Sequence, residues 1–251
     1  MPPAFLRTIE NEDFRIAVQA AYLGGRIIVR GAARSVDVAE KGIGDLVSVI
    51  DEEADAAICG YIRSRRPHDA ILSEELHPEA DVQSCRRLWV IDPLDATAAF
   101  LFQAGAHLTS VLISLRVDGE AVVSVVYFPL TGEWFYAIRG EGCFRDGHPL
   151  RTTNDPLLRE SWVDINHYGD ARYETPGIMR LRERLRLPGG ARLVTSQIPH
   201  SGIGVRIVEG VIRISAVIHD NNPRKVKQAA WDVSAVQHVV EAAGGAFVAL
   251  A

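Results

Sequence analysis

Two aspartates close an apolar run in Trp89-Val90-Ile91-Asp92-Pro93-Leu94-Asp95-Ala96-Thr97, with a proline between them and a hydroxyl just beyond. Such a run reads as a buried strand, and proline removes a ladder donor, so Asp92 is expected to end the strand and Asp95 to sit on a tight turn. Carboxylates held this close repel one another unless a cation lies between them, and all-oxygen ligands suit a hard ion such as Mg2+. A second acidic pair, Glu74-Glu75, follows the strand-like Ala70-Ile71-Leu72-Ser73. Adjacent acids ordinarily mark a solvated loop. Successive strand side chains point in opposite directions, however, so one of this pair can reach inward toward Asp92 while the other faces water. The chemistry these residues point to is that of a metal site.

The elements that must position them follow from periodicity. Phe14, Ile16, Ala17, Ala21, Leu23 and Ile27 recur at helical spacing over 12–30, with acids at the start where a helix dipole favours them. After a Gly31-Ala32-Ala33 break, Asp45-Leu46-Val47-Ser48-Val49-Ile50 leads to a second helix over 52–65. Asp51 is either the cap of that helix or a catalytic acid, and the local residues favour neither. Runs rich in Val, Ile, Leu and Ser over 108–115, 120–128 and 133–138 predict neighbouring antiparallel strands, with Val117-Asp118-Gly119-Glu120 as a hairpin signal. In the second half, strand-like 161–165, 192–195 and 212–218 alternate with helices over 177–187 and 201–209; the arginines of the first form a solvated face. Trp231-Asp232 then opens an apolar helix that ends at Ala243-Gly244-Gly245, placing Asp232 as its N-terminal acid. Trp231 itself reads as core.

A chain of 251 residues, 47% hydrophobic, is that of an ordinary globular protein with a sizeable core. A net charge of -5 argues against a protein whose main business is coating a nucleic acid polymer, while leaving room for a local basic pocket, so its partners are expected to be small molecules. The 3 cysteines, Cys59, Cys85 and Cys143, lack a CxxC spacing and read as reduced thiols. Met1-Pro2-Pro3-Ala4-Phe5-Leu6-Arg7 lacks the apolar run of a signal peptide, and no stretch reaches membrane-spanning length. A soluble, cytoplasmic protein is the expectation.

Taken together, the Glu-Glu pair after a strand, the Asp-Pro-Leu-Asp-Ala-Thr turn and the Trp-Asp helix that closes with Ala-Gly-Gly resemble the inositol monophosphatase superfamily. These are metal-dependent, lithium-sensitive phosphatases, and they include inositol phosphatases and 3'(2'),5'-bisphosphate nucleotidases. The resemblance extends to Lys41 followed by Asp45-Leu46-Val47-Ser48 and Asp51, to Val126-Tyr127-Phe128-Pro129 with Gly132-Glu133, and to Arg139-Gly140-Glu141-Gly142-Cys143-Phe144 before Gly147. It implies an α+β, layered α-β-α-β-α fold of the sugar-phosphatase type, with two sheets and flanking helices. Residues 1–152 would form the metal-binding part with the large sheet, and 153–251 a smaller α/β part. Glu74, Asp92 and the backbone carbonyl of Leu94 match one Mg2+ site of the family; Asp92, Asp95 and Asp232 match a second, with Asp92 bridging. Thr97, oriented by Asp51, matches the pair that positions and deprotonates the attacking water with help from Glu74. The backbone N–H groups of Ala96 and Thr97 would hold the phosphate. Two or three Mg2+ ions, inhibition by Li+, hydrolysis of a small phosphate monoester and a homodimer are implied with them.

Three stretches depart from the family pattern. Ala96 stands where most relatives have glycine, as in a nucleotidase-like branch. Gln197-Ile198-Pro199-His200-Ser201-Gly202 replaces the Gly-Ser or Gly-Ala-Gly turn that meets the substrate, so inositol recognition is not implied; His200, Ser201 and Lys227 are left as substrate-facing candidates. The basic run from His219 to Lys227 either receives a second phosphate or is a solvated loop. Relatives also continue beyond the position of Gly244-Gly245. A shorter end is expected to expose a sheet edge or to need cover from a second subunit, and sedimentation as a stable monomer would remove that expectation. Two substrate classes follow, a sugar or inositol monophosphate and a 3'-phosphoadenosine-type bisphosphate. A non-catalytic binding protein on the same fold is the rival from another class.

Overall fold

The computed structural model describes residues 2–7, 9–32, 38–42, 45–79, 85–102, 107–152, 162–168, 179–180, 183–184, 186, 193–195, 200–209, 212–219 and 229–247. A short α1 (Ala4–Arg7) precedes α2 (Glu12–Gly31), where the Asn11 side chain caps the helix by accepting from the Phe14 N–H at 3.0 Å. β1 (Val38–Gly42) and β2 (Asp45–Ser48) form an antiparallel ribbon that runs directly into α3 (Val49–Arg65). β3 (Ala70–Ser73) then pairs in parallel with β4 (Arg87–Asp95). After the short α4 (Thr97–Leu101), the strands β5 (Ser110–Val117), β6 (Glu120–Phe128), β7 (Glu133–Ile138), β8 (Gly142–Arg145) and β9 (His148–Leu150) continue from β4 as an antiparallel meander. The result is a 7-stranded sheet in the order β3-β4-β5-β6-β7-β8-β9. The second half contributes β10 (Trp162–Tyr168), β11 (Leu193–Thr195), α5 (His200–Val208), β12 (Ile212–His219) and α6 (Ala230–Ala242), its strands forming a parallel 3-stranded sheet in the order β11-β10-β12.

Alternation along the strands builds two cores from one sheet. Val111, Ile113 and Leu115 of β5 pack with Phe14, Ala17 and Ile58 on the α2–α3 side, whereas Leu112 joins Val126, Phe135, Val205, Val236 and Val239 on the α5–α6 side. Gly25 lets α2 lie directly on the sheet: a Cβ there would fall 2.4 Å from the Tyr127 ring. α5 in turn packs on both α6 and β12, so helices lie between the two sheets. The layered α+β architecture is the expected one. Among the described residues no helix is long and apolar enough to cross a membrane.

Most boundaries fall within a few residues of the sequence reading, and the β5–β6 hairpin is the one that Asp118-Gly119 announces, with positive φ of 52° and 83° at its two turn residues. Two expectations are corrected. β4 does not end at Asp92; it runs through Pro93 to Asp95, because its register against β5 shifts between Asp92 and Asp95 and a proline costs no ladder bond where the ladder is already interrupted. α3 begins at Val49 rather than Glu52, and its cap is Ser48, not Asp51. Of the helix predicted over 177–187, the described residues 179–180, 183–184 and 186 are helical and exposed; the rest lies outside the described residues.

Candidate metal centre

The end of β4 is where the acids gather. Along this strand Trp89 and Ile91 enter the α2–α3 core, while Leu88 and Val90 pack on the other face with Leu72 of β3 and the half-buried Trp231 of α6. Strand parity therefore turns Asp92 toward the N-terminus of α6, a direction confirmed by its register partner Leu112, which belongs to the α5–α6 core. Asp232 is the third residue of that helix and accepts the Ala229 N–H at 3.0 Å. Glu74 follows β3 directly, and its N–H donates to the Ile91 carbonyl at 3.3 Å, which ties the turn to β4 beside Asp92. Asp95 faces Ser110 across the ladder, and the Ser110 hydroxyl lies 3.4 Å from its Oδ2.

Asp92 is only 2% exposed, and its Oδ1 accepts the Leu94 N–H at 3.1 Å. Burial first, then repulsion from Glu74, Asp95 and Asp232, holds its carboxyl well above the usual carboxylate range. This is the electrostatic signature of a buried acid set among three others. Of the Glu74-Glu75 pair, Glu74 is the acid that acts on Asp92. Among the described residues no three His, Cys, Asp or Glu side chains converge closely enough to enclose an ion as they stand. The acids thus neighbour one another without forming a finished cage, and side chains must turn to close one. The donor set itself fits a hard divalent cation: every group is an oxygen, and a positive charge would relieve the repulsion that burdens Asp92.

Asp51 is not the cap of α3 but answers it, and it also reaches toward β4. As the third residue of α3 its Oδ2 accepts the Ser48 N–H at 2.8 Å and the Ser48 hydroxyl, a capping box in which serine is the cap and the acid answers it. Its other oxygen accepts the Thr97 hydroxyl at 2.8 Å. Burial raises the Asp51 pKa, and the hydrogen bonds from Ser48 and Thr97 act against that rise. Thr97 opens α4, but its side chain serves Asp51 rather than capping that helix.

Ala96, between Asp95 and Thr97, has φ 68° and ψ 48°, a left-handed conformation in which a Cβ is strained. A β-branched side chain tolerates it worst. Ala96→Val is expected to lower stability by about 1–2 kcal/mol, whereas Ala96→Gly leaves it nearly unchanged. Urea denaturation of the two variants checks this, and equal midpoints would contradict it.

The remaining candidates are placed less completely. His200 and Ser201 begin α5, with their side chains outside the described residues, and Lys227 lies outside them altogether. One site-adjacent residue escaped the sequence reading: Asp55, a helical turn beyond Asp51, is fully buried and accepts the N–H groups of Glu75 and Leu76, each at 3.0 Å. The one signal for it was an acid at i+4 from Asp51 on a helix.

Comparison with known proteins bears on all of this. Residues 10–251 match the model of the inositol monophosphatase family. The chain is 37% identical over 142 residues to Nus factor SuhB of Salmonella typhimurium, a match covering 54% of this chain and 51% of that protein. It is 31% identical over 156 residues to inositol monophosphatase 2 of Solanum lycopersicum, covering 61% and 58%. The chain thus spans about half the length of the curated relatives it matches. Among solved structures, the extragenic suppressor protein suhB of Bartonella henselae superposes with a TM-score of 0.78 at 24% identity, over 93% of this chain and 86% of that one. An IMPase/NADP phosphatase complexed with Mg2+ and phosphate does so with a TM-score of 0.70 at 19% identity, over 86% and 76%. Both superpositions speak for the fold. Matched by the family model over nearly its whole length, and carrying the acids at the end of β4, the chain belongs to the inositol monophosphatase family.

Proposed function

We propose that the protein is a Mg2+-dependent phosphatase that hydrolyses a small-molecule phosphate monoester. The observation that carries this reading is Asp92, buried among Glu74, Asp95 and Asp232, with the Thr97–Asp51 hydrogen bond just beyond it on the same chain segment. Glu74, Asp92, the Leu94 carbonyl, Asp95 and Asp232 would hold Mg2+, which when bound supplies a Lewis acid toward phosphoryl oxygens and lowers the pKa of water. The protein's own groups do the rest. Because the Thr97 hydroxyl donates to Asp51, its oxygen lone pairs can accept a proton from the attacking water while the hydroxyl proton passes to Asp51. The upward shift of the Asp51 pKa suits it to receive that proton. Glu74 orients the water from the β3 side. The left-handed turn at Ala96 directs the N–H groups of Ala96 and Thr97 as a small anion nest for phosphate oxygens.

Thr97→Val, which keeps shape and removes the hydroxyl, is expected to lower turnover roughly a hundred-fold, and Thr97→Ser to restore most of it. Wild-type turnover in the valine variant would remove Thr97 from the proton path. The whole reading is tested by phosphate release from a panel of phosphate esters with and without Mg2+. Ala96, as in the nucleotidase-like branch, favours a 3'(2'),5'-bisphosphate nucleotide as the alternative substrate, and the panel includes one. Li+ inhibition, a homodimer and a cytoplasmic location belong to the same reading, on family resemblance. A binding role without turnover is the second reading, favoured by the likeness to a protein named as a Nus factor. Release from none of the esters would select it.

A further inference from the structure

The turn after β3 that carries Glu74 has all of its backbone N–H groups engaged. Each backbone N–H from Ser73 to His77 has an acceptor: Ser73 donates to the His77 carbonyl at 3.1 Å and His77 to the Ser73 carbonyl at 3.3 Å, while Glu74 donates to Ile91 of β4 at 3.3 Å. The two left, Glu75 and Leu76, both donate to Oδ2 of Asp55 at 3.0 Å. Backbone thus answers backbone everywhere except at these two positions, where a side chain from another element takes over. Asp55 is 0% exposed, and its second oxygen accepts the Cys59 thiol at 2.9 Å, so the buried carboxylate has three donors around it. A buried charge persists only when satisfied in this way. Bonds from N–H to a carboxylate are also roughly twice as strong as those to a neutral acceptor, which makes Asp55 an anchor rather than a filler.

The location of the anchor gives it a role. Asp51 and Asp55 lie one turn apart on α3, the first holding Thr97 beyond β4 and the second holding the turn beyond β3. One rigid helix therefore sets both acidic segments against each other. We propose that Asp55 is the positioning residue for Glu74, keeping it beside Asp92 through the Glu75 and Leu76 amides and so setting the affinity for the divalent cation. This rests on the reading of Glu74 as a cation ligand.

The test uses the full chain, freed of metal, with Mg2+ as the probe. In Asp55→Ala, calorimetry is expected to show Mg2+ binding weakened by about 10–100-fold, the usual effect of losing a group that orients a metal ligand. Hydrogen exchange at the Glu75 and Leu76 amides accelerates while that of the amides in the middle of α3 does not. The Mg2+ concentration for half-maximal activity rises and the KM for the ester stays put, a split that a general loss of stability would not produce. Asp55→Asn keeps one acceptor oxygen and recovers most of the affinity. Should the alanine variant fail to fold, the asparagine variant carries the test through a smaller loss of Mg2+ affinity and faster exchange at the same two amides. Wild-type Mg2+ affinity in the alanine variant, or wild-type affinity together with unchanged exchange at the two amides in the asparagine variant where only that one folds, overturns the proposal alone. Absence of Mg2+ binding in the wild-type protein overturns it together with the phosphatase reading.

Discussion

Asp92→Asn is expected to abolish phosphate release and, in the absence of metal, to raise the melting temperature. The two effects have one cause. Asp92 is buried, and Glu74, Asp95 and Asp232 crowd its charge, so the metal-free protein carries a repulsion that folding alone does not relieve. Asparagine has the same shape and keeps an oxygen for the Leu94 N–H, but it brings no charge into the cluster. The sign follows from linkage. A carboxyl whose folded pKa lies above its unfolded value stabilises the fold only at low pH and opposes it as pH rises through the folded pKa, so at neutral pH the metal-free fold gains by losing it. With saturating Mg2+ the order reverses: at a concentration 100 times its dissociation constant, a ligand stabilises the native state by about 2.7 kcal/mol, and the variant forfeits that gain. Turnover should fall by roughly a thousand-fold or more, since a group proposed to hold the cation is gone. Thermal melts with and without Mg2+, beside phosphate release, read all three effects. Undiminished turnover would show that the metal assignment is wrong, and a lower metal-free melting temperature would show that the acids do not crowd one another as their placement implies.

What the sequence makes legible here is chemistry at short range. Asp92 and Asp95 flank a proline inside an apolar run, and Asp118-Gly119 sits between two strands; each pattern has few structural uses, and the hairpin forms where expected while both aspartates lie within the end of β4 rather than beyond it. Glu74 and Asp232 are legible for the same reason, one as an acid directly after a strand and the other as the third residue of a helix. The path of β4 through Pro93 is not, because a register shift belongs to the pairing with β5 and not to the strand that contains it. Asp51 is half legible: the Ser48–Asp51 spacing announces a capping box, but nothing nearby announces Thr97, 46 positions along the chain, as its partner. Asp55 is invisible for a plainer reason. It binds the backbone N–H groups of Glu75 and Leu76, which every residue but proline has, so its partners leave no mark in the sequence. Nor does local sequence announce that α6, from the far end of the chain, lies on the first sheet and carries Asp232 to the end of β4.

The same helix carries the second large effect, which concerns acid. His238 of α6 is 8% exposed, and its Nδ1 lies 2.9 Å from the Ser124 hydroxyl of β6, which donates onward to Ser114 of β5 at 3.0 Å. With Ser124 donating to Ser114, the imidazole is the donor at Nδ1, and Nε2 is the atom that takes up a proton. Burial, reinforced by the positive charges of Arg139 and Arg116, lowers the pKa of His238 from 6.5 to about 4. The unfolded chain therefore binds a proton at pH 6 that the folded chain refuses. Stability contributed by the neutral imidazole is complete above the unfolded value and is lost progressively as pH falls toward the folded one, a total of roughly 3 kcal/mol. His238→Asn puts an amide N–H near the place of Nδ1 and removes the titration. Its stability at pH 7 will drop because the smaller side chain leaves space in the core, but the slope between pH 6.5 and pH 4 should flatten relative to wild type. Urea denaturation of both proteins across that range measures the slope directly. Parallel curves would mean that His238 takes up its proton without unseating α6, and the acid limb would then belong to the carboxylates. A flattened curve would tie acid stability to the helix that brings Asp232 to Asp92, so that in wild type the loss of Mg2+ binding and the loss of the fold set in over the same interval of pH.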